Sequence, residues 1–335
     1  MAQFLTAESF DAALIPGFRI QVRALYHDLS AAEQERAAQL RAEARFHQRD
    51  CPLCGTAARS ATALPRFAGA CLTLLRCAAC HMVYSAEVLD AETDRRRYAE
   101  AGRDSIPRAF ASLKQHHAYA ALEVSKQAYV VQRIAAQGLR QGRMLDIGCA
   151  NGSALDAFAA AGWQVAGVEP TAEFAAASRT RHSDVQHGYF PEAAPEGPFD
   201  LITLFDLLEH IEQPLGFLEA IRARLRPGGI LAVQVPNLDS PLVQVQGAAS
   251  TVVTFGHWNY FDPASLRACL ERAGFVTLGI ESYISELDRL MAYPETELRA
   301  VLGPWAPADL ATLRPADLFA RLLGFKLFGL FRRPG

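Results

Sequence analysis

Two clusters in this chain have the residue types and spacing to do chemistry. The first is Arg143-Met-Leu-Asp-Ile-Gly-Cys-Ala-Asn-Gly152, where an acid, Asp146, precedes Gly148, Ala150 and Gly152 at alternate positions. A tight turn opening a helix leaves main-chain N–H groups free to hold a ligand. Pyrophosphate needs a Gly-x-Gly-x-x-Gly spacing. Here the spacing differs, and a carboxylate in the crevice repels phosphate while suiting an amine-bearing or cationic ligand, which disfavours a nicotinamide oxidoreductase. The second cluster is Cys51-Pro-Leu-Cys54 with Cys77-Ala-Ala-Cys80. Each C-x-x-C turn aims two thiolates at one ion, and together they make a tetrahedral set. Four thiolates leave no open position, so a zinc ribbon with structural zinc is expected, with redox use of one pair as the sharper alternative. Gly55 suits the turn after the second ligand. His81 is an alternative ligand or a surface residue, Cys71 a strand residue, and Cys149 and Cys269 are small buried residues.

The elements that must position these groups alternate. Residues 144–147 read as a buried strand, and 153–161 as a helix with Leu155, Phe158 and Ala159 on its inner face. Residues 164–169 form a second strand ending in Glu169, and 199–205 a third, followed by Asp206-Leu-Leu-Glu-His210. A helix begins near Pro214, buries Leu218, Ile221 and Leu225, and stops at Arg226-Pro-Gly-Gly229. Residues 230–235 and 274–282 add strands. The expected fold is α/β, a doubly wound Rossmann-like sheet with an N-terminal zinc ribbon and helical flanks. Residues 237–256 read as a loop beyond the strand ends, closed by His257-Trp-Asn-Tyr-Phe261, whose imidazole, indole and phenol suit an aromatic-walled acceptor site.

In this order, from about residue 142 to 282, the motifs resemble class I S-adenosylmethionine (SAM) methyltransferases. The resemblance implies that the turn of Asp146, Gly148, Ala150 and Gly152 holds SAM, with Ala150 replacing the family's usual middle glycine. Glu169, about 20 residues past the turn, would accept both ribose hydroxyls. Asp146 would order the turn and hold the methionine amino group through water. Tyr189 or Phe190 would wall the adenine, a packing role being the alternative for each. Asp206 would lie where the strand end faces the sulfonium. Glu209-His210 is similar to a pair in a broad subgroup that includes ubiquinone-pathway O-methyltransferases. His257, in a segment similar to His-x-x-Tyr-Phe of related enzymes, is the preferred general base, with His210 the second candidate and Tyr260 beside them. Each histidine also has a structural reading, hydrogen-bonded to loop backbone or starting a helix. The ribbon plus this methyltransferase type resembles enzymes acting on sugars, including deoxysugar C-methyltransferases.

The chain's 335 residues, 50% hydrophobic and 21% charged, can bury a sizeable core. The expected segments are a helical stretch at 1–48, the ribbon at 49–92, a connector and covering helix at 93–140, a SAM-binding domain at 141–283, and a helical or strand extension at 284–335. Residues 7–46 read as a helix docking on the next module or on a partner. Asp94-Arg-Arg-Arg97 reads as a charged connector. Residues 114–136 read as a long helix; the resemblance implies that it closes over the SAM pocket, where Tyr98, His116, His117 and Tyr119 would reach substrate, with a covering helix that leaves His116 and His117 in solvent as the other reading. A net charge of −3 argues against a general nucleic-acid binder. Cysteines in metal-type pairs, no bilayer-length apolar run and no basic-then-apolar start point to cytoplasm. Residues 318–331 read as a packed helix or strand or as an interfacial helix with weak membrane contact. The expected partner is a small-molecule or glycan acceptor. A non-catalytic SAM-binding regulator and an RNA or protein methyltransferase remain the other classes.

Overall fold

The computed structural model describes residues 7, 8, 11, 44–68, 72–99 and 117–335. Along the chain, β1 (Phe46–Gln48), β2 (Thr62–Ala63), β3 (Leu74–Arg76), β4 (Val83–Ser85) and β5 (Glu87–Leu89) come first. Helices α1 (Ala91–Ala99) and α2 (His117–Ala136) lead into β6 (Arg143–Ile147), α3 (Ser153–Ala160), β7 (Gln164–Glu169), α4 (Ala172–Arg179), β8 (Val185–His187) and β9 (Phe199–Phe205). Then follow α5 (Pro214–Arg224), β10 (Leu225–Pro236), α6 (Pro241–Gln246), β11 (Asn259–Tyr260), α7 (Pro263–Arg272), β12 (Val276–Tyr283), α8 (Leu287–Leu290), α9 (Glu295–Leu302), α10 (Pro315–Phe319) and β13 (Lys326–Arg332).

Seven strands form one sheet in the order β12-β13-β10-β9-β6-β7-β8. Neighbours from β10 through β8 are parallel, while β13 runs antiparallel between β10 and β12. The near-continuous apolar runs of β6, β9 and β10 follow from burial on both faces. Leu145, Ile147, Ile202, Leu231 and Val233 point into a core shared with α5 and α7 through Leu218, Ile221, Leu266 and Leu270. Met144, Leu201, Ala232 and Phe328 point the other way, to Tyr129, Val130 and Ile134 of α2 and Leu155 and Phe158 of α3. Asp262 caps α7 by accepting from the Ser265 N–H at 2.7 Å, with Pro263 at the first helical position.

Several expectations change. Phe46, read as the end of a helix, lies in β1, which pairs with β5; most of the helix expected over 7–46 lies outside the described residues. Asp11, which is described, docks on the C-terminal part: the Ser285 N–H and Oγ donate to its carboxylate at 2.7 and 2.6 Å. Ala159 is exposed and Ala154 takes its inward place. Asp94 and Arg97 lie in α1, and the loop expected over 237–256 contains α6. Of the two readings of 318–331, the packed strand is formed and the interfacial helix is not, because Leu327, Phe328, Leu330 and Phe331 are buried on β13 inside the sheet. Residues of the 141–283 and 284–335 segments therefore share one sheet. Among the described residues no helix is long and apolar enough to cross a membrane. Cys71, His116 and the side chains of Tyr98, His117 and Tyr119 lie outside the described residues.

The four-cysteine unit is built on a second sheet, β11-β4-β3-β2, in which β11 comes from the segment after His257. Its apolar residues Leu53, Met82 and Tyr84 join the core on the α5/α7 side of the large sheet.

Candidate active site

The carboxyl ends of β6, β7 and β9 meet at the glycine turn. Gly148, Ala150 and Gly152 all have left-handed φ values, 76°, 46° and 85°. At Gly152 an added Cβ would lie 2.5 Å from Ser178 Oγ, so glycine is required there on two counts. Ala150 holds the same conformation with a methyl group, a conformation that costs roughly 1–2 kcal/mol in an L-residue. The turn is braced by Glu169. Its Oε2 accepts the Ala150 N–H at 2.9 Å, and its Oε1 accepts the Thr171 N–H at 2.9 Å. Glu169 is 5% exposed, which removes the alternative of a solvent-facing acid. A carboxylate has about four acceptor positions, so two amide contacts leave lone pairs for a diol.

Asp146 was expected to order this turn. Its Oδ1 accepts from Thr203 Oγ1 at 2.6 Å on the neighbouring strand. Burial, reinforced by the Glu169 charge, pushes its pKa up to about 7 against the opposing pull of Lys126. Lys126 went unnoticed in the sequence. It is buried on α2 and donates to Glu123 at 2.7 Å. Burial works against its charge, but Glu123, Asp206 and Asp146 together raise its pKa above the ordinary lysine value. The crevice thus holds acids and a cation, a pattern suited to a zwitterionic ligand head.

Tyr189 donates its hydroxyl to the Arg95 carbonyl at 3.0 Å, leaning against α1. Phe190 packs edge-on against Phe217 at 5.2 Å between centroids, with the Arg224 guanidinium 5.3 Å above its ring.

Beyond β9, Asp206 sits at φ 52° and commits both carboxylate oxygens to protein partners. Lys326 Nζ donates to Oδ1 at 2.8 Å and Gln234 Nε2 to Oδ2 at 2.7 Å, while the Tyr283 hydroxyl bonds Gln234 Oε1. Burial would raise the Asp206 pKa, but Lys326 and Lys126 outweigh it and hold the group below the ordinary carboxylate value. Asp206 is therefore an anion held in a polar network at the end of β9. Lys326 reaches it only because β13 is inserted beside β10, which local sequence does not reveal.

Glu209, His210 and His257 converge, one ligand atom from each lying within 4.8 Å of the others. The imidazole centroids are 4.6 Å apart at an interplanar angle of 80°. His210 donates Nδ1–H to the Gly256 carbonyl at 2.8 Å, and His257 donates Nδ1–H to the Val252 carbonyl at 2.9 Å. A neutral ring that donates from Nδ1 carries its lone pair on Nε2. Burial, then the nearby His210 and Lys326, hold the His257 pKa well below the ordinary 6.5, so the ring is neutral. Glu209 is 1% exposed and neither of its oxygens has a hydrogen-bond partner among the described residues. Such an orphaned buried carboxylate with two imidazoles is a donor set that fits a divalent cation. The Tyr260 ring stands edge-on to His257, with centroids 6.4 Å apart, but both expected wall residues are buried. Tyr260 is buried in the core with Leu238 and Val243, and Trp258 packs against Val88, Leu89 and Phe255.

Cys51, Cys54, Cys77 and Cys80 come together, with all four sulfurs within 4.8 Å of one another. The Cys51–Cys80 and Cys54–Cys77 Sγ separations of 3.5 Å are close to the edge, about 3.8 Å, of a tetrahedron built with Zn–S bonds. Each knuckle closes the same way: the Gly55 N–H donates to the Cys51 carbonyl at 2.9 Å and the His81 N–H to the Cys77 carbonyl at 3.1 Å. Both residues are left-handed, with φ 69° and 62°. The His81 side chain is exposed and stands outside the sulfur cluster.

A family model described as a methyltransferase domain matches residues 115–279. The ubiquinone biosynthesis O-methyltransferase of Xylella fastidiosa strain M23 is 30% identical over 169 residues, covering 46% of this chain and 68% of the relative. The enzyme of the same name from Xanthomonas campestris pv. campestris strain B100 is 32% identical over 125 residues, or 35% of this chain. The chain spans about half, 51%, of the length of that relative. Among solved structures, a Burkholderia thailandensis 1,6-didemethyltoxoflavin-N1-methyltransferase is similar with a TM-score of 0.46 and 15% identity, covering 77% of this chain and 98% of its own. A Thermotoga maritima SAM-dependent methyltransferase gives 0.43 and 19%, covering 63% and 91%. With its motifs in the family's order and a relative matched over most of that relative's length, the chain belongs to the class I SAM-dependent methyltransferases.

Proposed function

We propose that the protein transfers the methyl group of SAM to an oxygen, nitrogen or carbon of a small-molecule or glycan acceptor in a biosynthetic pathway. The observation that carries this reading is the adjacency of two half-sites. The Glu169-braced turn follows β6, and the His210–His257 pair lies beyond β9, its direct neighbour in the sheet. Such an arrangement sets a donor beside a proton acceptor at the end of one crevice. Glu169 would hold the ribose, Asp146 and Lys126 would face the amino-acid head, and the free turn amides would orient the rest. SAM supplies the electrophilic methyl and the leaving sulfide when bound. His257, neutral and with its lone pair on Nε2, would take the acceptor proton as the new bond forms. The four cysteines would hold a structural zinc ion.

The orphaned Glu209 carboxylate favours a second reading. Glu209, with His210 and His257 through their Nε2 atoms, would hold a divalent cation, which when bound lowers the pKa of an acceptor hydroxyl; His257 would then be a ligand in place of the proton acceptor. The cation reading narrows the acceptor to one that bears a hydroxyl group.

Calorimetric titration of the purified protein with SAM, and separately with NAD, tests the assignment. Micromolar SAM binding with none for NAD is expected, followed by methyl transfer from labelled SAM in a screen of hydroxylated acceptors. Folded, zinc-loaded protein that ignores SAM would overturn the proposal. Tight SAM binding without transfer to any acceptor would favour the regulatory class.

A further inference from the structure

Arg49 lies two residues before Cys51, is 7% exposed, and spends its guanidinium on three segments that are distant in sequence. Its Nε donates to the Ser85 carbonyl at 3.1 Å, at the end of β4 in the cysteine unit. Its Nη1 donates to the Glu212 carbonyl at 2.8 Å. Its Nη2 donates to the Trp258 carbonyl and, at 3.1 Å, to Asn259 Oδ1. Asn259 is 1% exposed and completes the junction, its Nδ2 donating to the carbonyls of Ile211 at 2.6 Å and Leu208 at 3.3 Å. The main chain repeats the connection. The Ser85 N–H donates to the Trp258 carbonyl at 2.9 Å, and the Trp258 N–H to the Glu209 carbonyl at 2.8 Å.

These bonds converge on two short stretches, 208–212 and 258–259. The first contains His210 and the second directly follows His257. Neither stretch is a long regular element that could fix the position of its histidine by itself; one is a single 3-10 turn and the other a two-residue strand. Burying a guanidinium is costly unless its donors are met, and here they are met by groups that belong to opposite sides of the histidine pair. A residue needed only to seat the cysteine unit would have no use for a link to the 208–212 turn.

We propose that Arg49 and Asn259 are positioning residues that set the separation of His210 and His257, so that the acceptor site is assembled only when the cysteine unit is folded against the sheet. The proposal rests on the reading of those histidines as the acceptor site, but the separation itself can be measured without turnover. The decisive variant is Asn259→Asp, which keeps an acceptor for Arg49 and removes both donors to the 208–212 turn. Arg49→Lys shortens the junction from the other side.

The experiment uses full-length, zinc-loaded protein with ring-labelled histidine, the two resonances being assigned through His210→Gln and His257→Gln. In the parent protein the His257 ring should show the neutral Nδ1–H form at neutral pH, and both rings should show Nδ1–H bonded to a carbonyl. In Asn259→Asp the His210 and His257 signals should move or show mixed tautomers. SAM affinity should stay within twofold, the metal-to-protein ratio should be unchanged, and kcat for methyl transfer should fall at least tenfold. Unmoved histidine signals in a folded Asn259→Asp variant would overturn the proposal, as would an unchanged kcat. Should Arg49→Lys fail to fold, Asn259→Asp decides alone, since Asn259 sits on the edge strand of the second sheet, away from the cysteine knuckles in sequence. Should the protein transfer no methyl group at all, the assignment of function fails while the ring signals still decide whether the junction positions the histidines.

Discussion

Replacing Glu209 by Gln probes the most unusual charge in the molecule. The carboxyl is 1% exposed, neither oxygen has a partner among the described residues, and burial, reinforced by Asp206, pushes its pKa from 4.5 up to about 8. The unfolded chain releases this proton near the ordinary value, whereas the folded chain keeps it to about 8. Between those limits the folded state binds the extra proton, so stability falls as pH rises. With 1.36 kcal/mol for each pKa unit of difference, the loss between about pH 5 and pH 8 is about 3 kcal/mol. Glu209→Gln keeps the shape and abolishes the titration. Urea unfolding of both proteins at those two pH values should therefore give a difference that shifts in the variant's favour by about 3 kcal/mol. A difference that is the same at both pH values refutes the buried, protonated carboxyl. The same pair of proteins reads the cation site. A divalent ion needs the ionised carboxylate, so it should stabilise the parent at pH 8 and leave Glu209→Gln unmoved.

Four further outcomes follow from the same geometry. Glu169→Ala should weaken SAM binding by about 1–3 kcal/mol, the loss expected for buried hydrogen bonds left unpaired; calorimetry showing unchanged affinity would mean the ribose lies elsewhere. His257→Ala should leave SAM affinity intact and slow transfer, and the parent's His257 ring signal should stay in the neutral form as pH drops past 6.5, because the ring's pKa lies well below that value; a ring that titrates at or above 6.5 would contradict this. Cys51→Ser, or chelation, should lower the thermal transition and disturb His257 as well, since the cysteine unit contributes β4 to the pairing with β11. Ala150→Gly should be neutral to stabilising by up to about 1 kcal/mol in thermal unfolding, because it relieves a left-handed alanine, while Gly152→Ala should be destabilising.

The parts of the fold that sequence makes legible are those specified locally. The strand, turn and helix around Asp146 and Glu169 follow from apolar runs and a glycine turn, and the four cysteines from paired spacing. The helix beginning at Pro214 and the cap at Asp262 follow from first-turn chemistry. What stayed hidden depends on contacts between distant segments. Lys326 meets Asp206 across 120 positions, and Arg49 meets Asn259 across 210. Nothing in the composition of residues 318–331 distinguishes an amphipathic helix from a strand inserted into a sheet; burial on both faces decides it. The burial of Tyr260 and Trp258 stayed hidden for a related reason. Aromatic residues next to a histidine look like ligand contacts until a second sheet covers them, and β4 does so here.

That cover changes how the two halves of the chain relate. SAM already carries the drive for methyl transfer, so the enzyme's contribution is placement of donor and acceptor. On the donor side, placement is local: Glu169 braces the turn through two amides, close enough in sequence to form with the strand and helix themselves. On the acceptor side it is not. His210 and His257 ride on short, irregular segments 46 and 5 residues from the carbonyls that fix their rings. Such segments hold a geometry only when their main-chain groups are tied from outside. The ties come from Ser85 and Arg49, on either side of the cysteine knuckles, and from Asn259 between them. The zinc ion proposed on the four thiolates would have no open position and so no chemistry of its own; its value would lie in making β4 and Arg49 rigid enough to be a template. On this view the cysteine unit completes the acceptor half of the catalytic domain, and loss of its metal should abolish transfer before it affects SAM binding.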